Sequence, residues 1–374
     1  MAASPPSPPP PDGDIGRLRS QIDTVDDEIL ALLNRRAQLV RSVAAWKEQN
    51  ARPFYVPERE RQVIERLQAQ NPGPFPATGI RPVFAEIMSA CLSLEQKLRV
   101  AYFGPEATFT HQASRTRFGM AALYLPAATI AGVFAEVEKG TAELGVVPVE
   151  NSTEGVVNHT LDVFMDSELV VRQEIVVEVS HCLLTRAPSL GAVMKVYSHP
   201  QALAQCRAWL SGTLPQAALV EVASTARAAR LAKDDPQAAA VASELAGQLY
   251  DLPLSRRKIE DEKVNITRFL VIGKPGEKER PTGRDKTSIM FTLKDEPGGL
   301  NRALAPFSTH RVNLSKIESR PSRRRAWDYV FFIDVDGHVE DPPVARALLE
   351  FRPRCELVKI LGSYARAEMP PERL

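Results

Sequence analysis

The sequence predicts a multidomain protein with three modules: an all-α helical domain, a two-lobed α/β domain and a ferredoxin-like α+β domain. A chain of 374 residues is longer than one hydrophobic core usually serves, which favours two or three domains. Apolar residues recur at spacings of three and four up to residue 98, and short β-branched runs then alternate with helical stretches. The expected divisions are a disordered tail at 1–13, domains at 14–98, 99–275 and 286–364, and a linker at 276–285.

Composition excludes several classes of protein. A net charge of +1 and a hydrophobic content of 44% indicate a soluble protein without the overall field that nucleic acid or a membrane surface would attract. The four cysteines are scattered without a CxxC pair, which favours reduced thiols and a cytoplasmic protein. The Pro-rich start has no apolar segment of the signal-peptide kind, and no apolar run reaches transmembrane length.

The first module is predicted to contain three helices. One helix should run from residue 15 to about 50 with Asp14 as its N-cap, which makes it roughly 50 Å long. The others are expected at 57–70 and 80–97, with Pro82 in the first turn of the last. Because the first helix overshoots a small domain, we expect it to pack against a partner chain.

Cationic side chains on this long helix suggest an anion site. Arg36 and Lys47 are eleven residues apart, close to three turns, so they share a face, whereas Arg19 points about a quarter turn away. In an antiparallel helix pair, Arg19 of one chain could complete a site built by the other chain. A solvated charged stripe on a coiled-coil-like dimer remains the alternative. Further residues that could face the same place are Arg59, Glu60, Cys91 and Glu95.

The second module is predicted to be a parallel α/β sheet structure of two lobes with a cleft. Its last strand, 265–272, should rejoin the first lobe. Polar clusters lie at 104–111, 148–155 and 198–205 and at the start of the last strand, where ligands of open α/β sheets gather. The histidines have no metal-ligand spacing, so we expect metal-free chemistry without a cofactor. Each cluster alone could be a turn with a helix cap, and the last could be a strand end where Thr267 caps and Arg268 reaches solvent.

The third module has the order β-α-β-β-α-β of ferredoxin-like domains. A glycine-containing loop, 295–300, precedes its first helix, where backbone amides can approach an anion. The segment 318–321 ends its second strand, and Arg323 to Arg325 should form a solvated hairpin tip. A Gly-rich turn and a strand exit are the alternative interpretation of these two segments.

The helical module resembles the all-helical chorismate mutases through the stretch LRSQIDTVDDEILALLNRR, Lys47 and the run RERQ. The resemblance implies an intertwined dimer that rearranges chorismate to prephenate. Lys47 and Glu95 are its implied catalytic residues. Val56, Cys91 and Glu95 depart from common residues of the family, and Glu95 would need a proton to donate a hydrogen bond. The implied chorismate-binding residues are Arg19, Arg36, Lys47, Arg59, Glu60, Cys91 and Glu95.

Residues 99 to about 273 resemble the prephenate dehydratases, including their Thr-Arg-Phe signature. The implied fold is like type II periplasmic binding proteins. Thr267 would assist the departing hydroxyl, and Arg268 would bind a carboxylate or order the strand. Ala107 stands where the family usually has glycine. The implied prephenate-binding residues are Thr108, Glu150, Asn151, Ser152, Thr153, Ser198, Gln201, Gln205, Thr267, Arg268 and Phe269.

The third module resembles ACT domains of the phenylalanine-sensing kind, which implies feedback inhibition by L-phenylalanine bound across a dimer. Together the three resemblances imply a bifunctional cytoplasmic enzyme of phenylalanine synthesis that is a homodimer or larger homo-oligomer. A ligand-sensing protein without catalysis, and a dehydratase whose helical part only dimerises, are the alternatives. The implied phenylalanine-binding residues are Pro297, Gly298, Gly299, Leu300, Glu318, Ser319, Arg320 and Pro321.

Overall fold

A computed structural model describes residues 12–50, 54–153, 155–262, 264–276, 280–322 and 328–369. It divides into two compact units, Met1–Leu98 and Arg99–Leu374. Most of the predicted tail, residues 277–279 of the predicted linker and the Arg323 to Arg325 hairpin tip lie outside the described residues. No helix in the described ranges is long and apolar enough to cross a membrane.

The helical unit contains the three expected helices, α1 (Asp12–Gln49), α2 (Pro57–Gln70) and α3 (Ala77–Leu92). The predicted cap was wrong, because α1 begins two residues before Asp14. The third helix also begins and ends earlier than predicted, so Pro82 lies inside it rather than in its first turn. After Leu92 the amides of Leu94 and Glu95 bond to carbonyls three residues back, and this tighter turn ends the helix before Glu95.

The long apolar stripe of α1 is exposed within this unit. Ile22, Leu32 and Leu39 each leave about 60% of their surface in contact with solvent. The exposed large apolar residues of α1 are Ile15, Leu18, Ile22, Val25, Ile29, Leu30, Leu32, Leu39, Val43 and Trp46. An exposed apolar face of this length marks an interaction surface.

The first lobe of the second unit is a mixed sheet in the order β2-β1-β3-β11-β5, with β4 paired to β3. The three strands that were predicted to form a parallel sheet, β1 to β3, are parallel, but the lobe as a whole is mixed, because β11 runs antiparallel to both of its neighbours. The expected return of the last strand to this lobe is confirmed. The strands are β1 (Arg99–Phe103), β2 (Leu123–Ala127), β3 (Leu144–Asn151), β4 (Gly155–Val156), β5 (Val170–Glu178) and β11 (Ile266–Gly273), and the helices are α4 (Phe109–Phe118), α5 (Ile130–Lys139) and α6 (Asn158–Phe164).

The second lobe is a five-stranded sheet in the order β10-β6-β9-β7-β8. Its three predicted strands, β7 to β9, are parallel, whereas β6 is antiparallel to β9 and β10. The helix α9 packs four buried alanines against this sheet. The strands are β6 (Cys182–Thr185), β7 (Lys195–Ser198), β8 (Ala218–Glu221), β9 (Ala238–Ala242) and β10 (Leu254–Arg256), and the helices are α7 (Pro200–Gln205), α8 (Arg207–Thr213), α9 (Thr225–Lys233) and α10 (Glu244–Leu249).

The third domain has an antiparallel sheet in the order β13-β14-β12-β15, which confirms the ferredoxin-like prediction. One face of the sheet packs on its two helices. On the other face Met290, Phe332 and Tyr364 share one hydrophobic core with Phe164 and Leu270 of the first lobe. The elements are β12 (Asp285–Thr292), α11 (Gly299–Thr309), β13 (Leu314–Pro321), β14 (Tyr329–Asp336), α12 (Pro342–Phe351) and β15 (Leu357–Ala365).

This contact is close enough to involve backbone. A Cβ atom on Gly362 of β15 would collide with the carbonyl oxygen of Val171 on β5. Only glycine therefore fits where the two strands meet. The shared core and this close approach explain why residues 99–374 form one compact unit.

Candidate active sites

Two of the expected mutase residues meet in the helical unit. The Lys47 ammonium lies 3.4 Å from Glu95 Oε2 and donates to the carbonyl of Phe54 at 2.7 Å. The side chains of Lys47 and Glu95 are 19% and 6% exposed, so the ion pair is largely shielded from solvent. In this structure Glu95 therefore accepts a hydrogen bond from Lys47.

The other expected mutase residues are distributed around this pair. Arg36 Nη1 is buried without a hydrogen-bond partner among the described residues, and such a donor is costly unless a ligand satisfies it. Arg19 and Arg59 are exposed, and Cys91 is buried. Glu60 accepts a hydrogen bond from the Tyr55 hydroxyl at 3.3 Å.

The dehydratase candidates converge on a hydrogen-bonded chain at Thr267. Asn151, at the end of β3, lies opposite Thr267 on β11, and its Nδ2 donates to Thr267 Oγ1 at 2.8 Å. The same amide donates to Asn265 Oδ1 at 2.7 Å. Asn265 in turn donates through Nδ2 to Gln205 Oε1 of the second lobe at 3.0 Å. The chain therefore connects both lobes.

The direction of every bond in this chain follows from one backbone amide. The N–H of Thr153 donates to Asn151 Oδ1 at 2.9 Å, so the other end of the Asn151 side chain must be its NH2 group. Because the Thr267 oxygen accepts one of the Asn151 protons, the hydroxyl proton of Thr267 is available to a third group. Thr267 is 8% exposed, so its hydroxyl group is largely shielded from bulk solvent.

His181 ends the chain and was missed as a site residue. Its Nε2 lies 2.8 Å from Gln205 Oε1, which accepts hydrogen bonds, so the proton of a neutral ring must sit on Nε2. Nδ1 is then a bare acceptor, and it is buried without a partner among the described residues. Burial lowers the pKa of His181, although the bond to Gln205 acts in the opposite direction. Phe109 packs edge-on against the ring at 5.6 Å.

The loop before α4 joins this region. Thr108, an expected pocket residue, is the N-cap of α4 and accepts from the His111 amide at 3.4 Å. Ala107 has a φ of +69°, a left-handed conformation that favours glycine, and its amide donates to His111 Nδ1 at 3.1 Å. The ring of His111 stacks on Tyr102, and burial followed by repulsion from Arg115 lowers its pKa to about 4.

The remaining expected pocket residues have mixed surroundings. Ser198 is fully buried and donates to the carbonyl of Val241 at 2.6 Å. Ser152 Oγ accepts from the amide of Ile266 at 2.9 Å and so ties β3 to β11. Gln201 is half-buried, Thr153 is exposed, and Phe269 is 1% exposed.

Arg268 does not lie with Thr267, because successive side chains of a strand point to opposite faces. Its Nε donates to Glu174 at 2.8 Å, and its Nη1 donates to Asp334 of the third domain at 2.6 Å. The alternative of a strand end where Arg268 reaches solvent is therefore wrong. The contacts favour strand ordering over binding of a substrate carboxylate. Glu150 is likewise paired, with Lys316 of the third domain at 2.8 Å.

Both expected phenylalanine-binding segments lie at one end of the third domain's sheet. Arg320 of β13 pairs with Val330 of β14, and Val330 pairs with Thr292 of β12. Thr292 is the last residue of β12 before the glycine loop. Gly298 is left-handed at φ +75° and precedes α11. Arg320 forms a salt bridge with Asp162 of the first lobe, with 3.1 Å between Nη2 and Oδ1.

Comparison with known proteins agrees with the order of the three domains. The chain matches the families chorismate mutase type II over residues 18–96, prephenate dehydratase over 100–277 and ACT domain over 287–352. These three define an enzyme class of aromatic amino-acid metabolism with a regulatory domain. A bifunctional chorismate mutase/prephenate dehydratase of Aquifex aeolicus is 50% identical over 95% of this chain and 98% of its own length. The chain belongs to the bifunctional chorismate mutase/prephenate dehydratase family.

Two solved structures are similar to most of the second unit. A prephenate dehydratase of Arthrobacter aurescens in complex with L-Phe is 34% identical, with a TM-score of 0.67, and the match covers 73% of this chain and 94% of that one. A protein described as a novel type of quorum-quenching acylase, GqqA, is 32% identical with the same TM-score, and the match covers 72% and 98%.

Proposed function

We propose that the helical unit converts chorismate to prephenate and that the Thr267 site converts prephenate to phenylpyruvate. The observation that carries the second assignment is the direction of the Asn151–Thr267 hydrogen bond. It leaves the hydroxyl proton of Thr267 for the substrate.

The dehydratase step needs a donor rather than a strong acid. As the C–CO2 bond breaks, its electrons enter the ring and expel the hydroxyl group, which takes up a proton and leaves as water. The products are CO2, water and phenylpyruvate, and aromatisation drives the step. Donation from Asn151 polarises the Thr267 hydroxyl, and such chains strengthen cooperatively. A fixed donor at the leaving group stabilises charge that develops only in the transition state.

The mutase step is a pericyclic rearrangement, so positioning and electrostatics suffice. Lys47 is placed to donate to the ether oxygen of chorismate from a site where Glu95 holds it. The unsatisfied Arg36 nitrogen fits a substrate carboxylate, since charge-assisted pairs of this kind are strong.

A homodimer is part of this proposal. The exposed apolar stripe of α1 supports it, because a second copy of the same helix would cover that surface. Arg19 lies exposed on the same helix and would then be available to the partner's site. We assign the protein to the cytoplasm on its reduced cysteines, all four of which are free.

L-phenylalanine is proposed to bind at the end of the third domain, between the glycine loop and the end of β13. The pairing of both Thr292 and Arg320 with Val330, which puts the two segments at the same end of the sheet, supports this position. Binding there would inhibit the dehydratase.

The test supplies chorismate to the purified protein and follows prephenate and phenylpyruvate separately. Thr267→Val keeps the shape of the side chain but removes its proton, and removing a donor of this kind usually costs about a hundredfold or more in kcat. Thr267→Ser is the matched control that keeps the hydroxyl. Dehydratase turnover of the valine variant within about threefold of the parent would contradict the proposal. Absence of prephenate formation in the parent would favour a helical unit that only dimerises.

A further inference from the structure

The third domain touches the dehydratase strands at the two residues beside the Asn151–Thr267 pair. Glu150 immediately precedes Asn151 and accepts from Lys316 Nζ at 2.8 Å. Arg268 immediately follows Thr267 and donates to Asp334 at 2.6 Å. Both neighbours of the hydrogen-bonded pair are therefore held by side chains of another domain.

The contact of Arg268 with Asp334 is shielded from water, which makes it stronger than a surface ion pair, whereas the contact of Lys316 with Glu150 is shielded mainly on the lysine side. The side chains of Arg268 and Asp334 are 13% and 9% exposed, and those of Lys316 and Glu150 are 12% and 38% exposed. Arg268 is also bound by Glu174 and by the Tyr364 hydroxyl. Loss of Lys316 would leave Glu150 with its longer contact to Arg268 Nη1 at 3.7 Å, so Glu150 and Arg268 belong to one network of charges.

The backbone between the two strands is irregular at this point. Arg268 pairs with Glu150, but Phe269 pairs with Pro148, so one additional residue of β3 is accommodated there. Such a bulge interrupts the ladder and redirects the side chains next to it. With fewer backbone bonds in register, side-chain contacts have a larger part in setting the orientation of Asn151 and Thr267.

The strand that supplies Lys316 also carries the proposed effector segment. Burial alternates along β13, and Lys316 and Arg320 lie on its same face. Arg320 pairs with Asp162 and Lys316 pairs with Glu150, so the strand contacts the first lobe at two points about 13 Å apart along the strand. A displacement of β13 would therefore reach Glu150 directly.

We propose that Lys316 and Asp334 are positioning residues of the dehydratase reaction, supplied by the regulatory domain, and that an effector bound at β13 acts on the reaction through Lys316. They hold Glu150 and Arg268, and through them the Asn151–Thr267 hydrogen bond. This inference rests on the proposed dehydratase function.

The test compares Lys316→Met with Lys316→Arg in the full chain. The methionine variant removes the charge at nearly constant length, and the arginine variant restores it. Lys359→Met is the matched control, because Lys359 also crosses to the first lobe but binds the carbonyls of Phe164 and Ser167. Prephenate kcat and KM are measured with and without saturating L-phenylalanine, L-phenylalanine binding is measured by calorimetry, and chorismate turnover reports the integrity of the protein.

We expect Lys316→Met to lower kcat about three- to thirtyfold with KM within about threefold, the range typical of coupling residues. Inhibition by L-phenylalanine should weaken at least about threefold, although its affinity changes less. Lys316→Arg should restore both values, and Lys359→Met should retain them. Unchanged kcat and inhibition in Lys316→Met, or equal losses in Lys359→Met, would overturn the proposal.

Hydrogen exchange separates this inference from the proposed function. A parent protein that forms no phenylpyruvate would refute the dehydratase assignment, and the exchange of residues 149–151 and 266–269 would then decide the inference. Faster exchange there in Lys316→Met than in the parent and in Lys359→Met supports positioning by Lys316. Equal exchange in all three proteins refutes it.

Discussion

The substitution Asn151→Asp should invert the hydrogen-bonded chain at the dehydratase site. It replaces the NH2 group that donates to Thr267 and Asn265, at 2.8 and 2.7 Å, with an oxygen that can only accept. The Thr267 hydroxyl would then donate to the introduced carboxylate rather than to the substrate. Asn265 would have to turn its own NH2 group toward that carboxylate.

The inversion should continue to the end of the chain. A turned Asn265 presents an oxygen to Gln205, which in turn must present its NH2 group to His181. The His181 proton would then move from Nε2 to Nδ1. Diversion of one positioned donor costs roughly 2.7–4 kcal/mol of transition-state stabilisation, so kcat should fall about a hundred- to a thousandfold.

Two measurements test this prediction together. Dehydratase kcat is measured with chorismate turnover as the internal control, and the tautomer of His181 is read from nitrogen NMR of labelled histidine. His181→Gln, which retains a donor near the Nε2 position, identifies the resonance. Turnover within about threefold of the parent would refute the role of the Asn151 donor. A large loss of turnover with the proton still on Nε2 would refute the proposed direction of the chain.

Three further predictions concern single side chains. Glu95→Gln should keep chorismate turnover within about tenfold, because the amide oxygen still accepts from Lys47 while the NH2 group can donate to the ether oxygen beside Lys47 without taking up a proton, and complete loss would reject Glu95 as a second donor there. The His111 pKa of about 4 lies below the unfolded value of about 6.5, so the folded state binds fewer protons and stability should fall by about 1–3 kcal/mol as the pH drops from about 7 to 4. Urea unfolding measures that loss, and a His111→Asn variant with an equally steep pH dependence would contradict it. Ala107→Gly should change the free energy of unfolding by less than about 1 kcal/mol, since relief of its left-handed backbone offsets the loss of a buried methyl group, and thermal unfolding checks this.

Local patterns predicted most of the fold. The periodicity of α2 and the β-α-β-β-α-β order of the third domain depend on residues close together in the sequence, and both predictions are confirmed. The mixed character of the first lobe was missed because strand direction depends on which distant strand becomes a neighbour. The end of α3 was also missed, since the turn at Leu94 follows from hydrogen bonds that periodicity does not report.

The site was predictable as residue types but not as a set of contacts. Thr267 and Asn151 stood out as polar residues at strand ends, and the structure joins them. His181 could not be found, because one histidine without a motif carries no signal until Gln205 and Asn265 lie beside it. The sequence left the role of Arg268 open between binding a carboxylate and ordering the strand for a related reason, since its partner Asp334 comes from another domain.

The core that Phe332 and Tyr364 share with Phe164 and Leu270 has a consequence for protein engineering. Separate expression of the chain before and after a break between β11 and β12 would not give two independently stable domains. Each fragment would expose its half of this hydrophobic core to water and would aggregate. Replacement of the third domain by one that responds to another amino acid therefore requires that the residues of this shared core be kept as well. The replacement domain would also need a glycine at the position of Gly362, where β15 approaches the backbone of Val171.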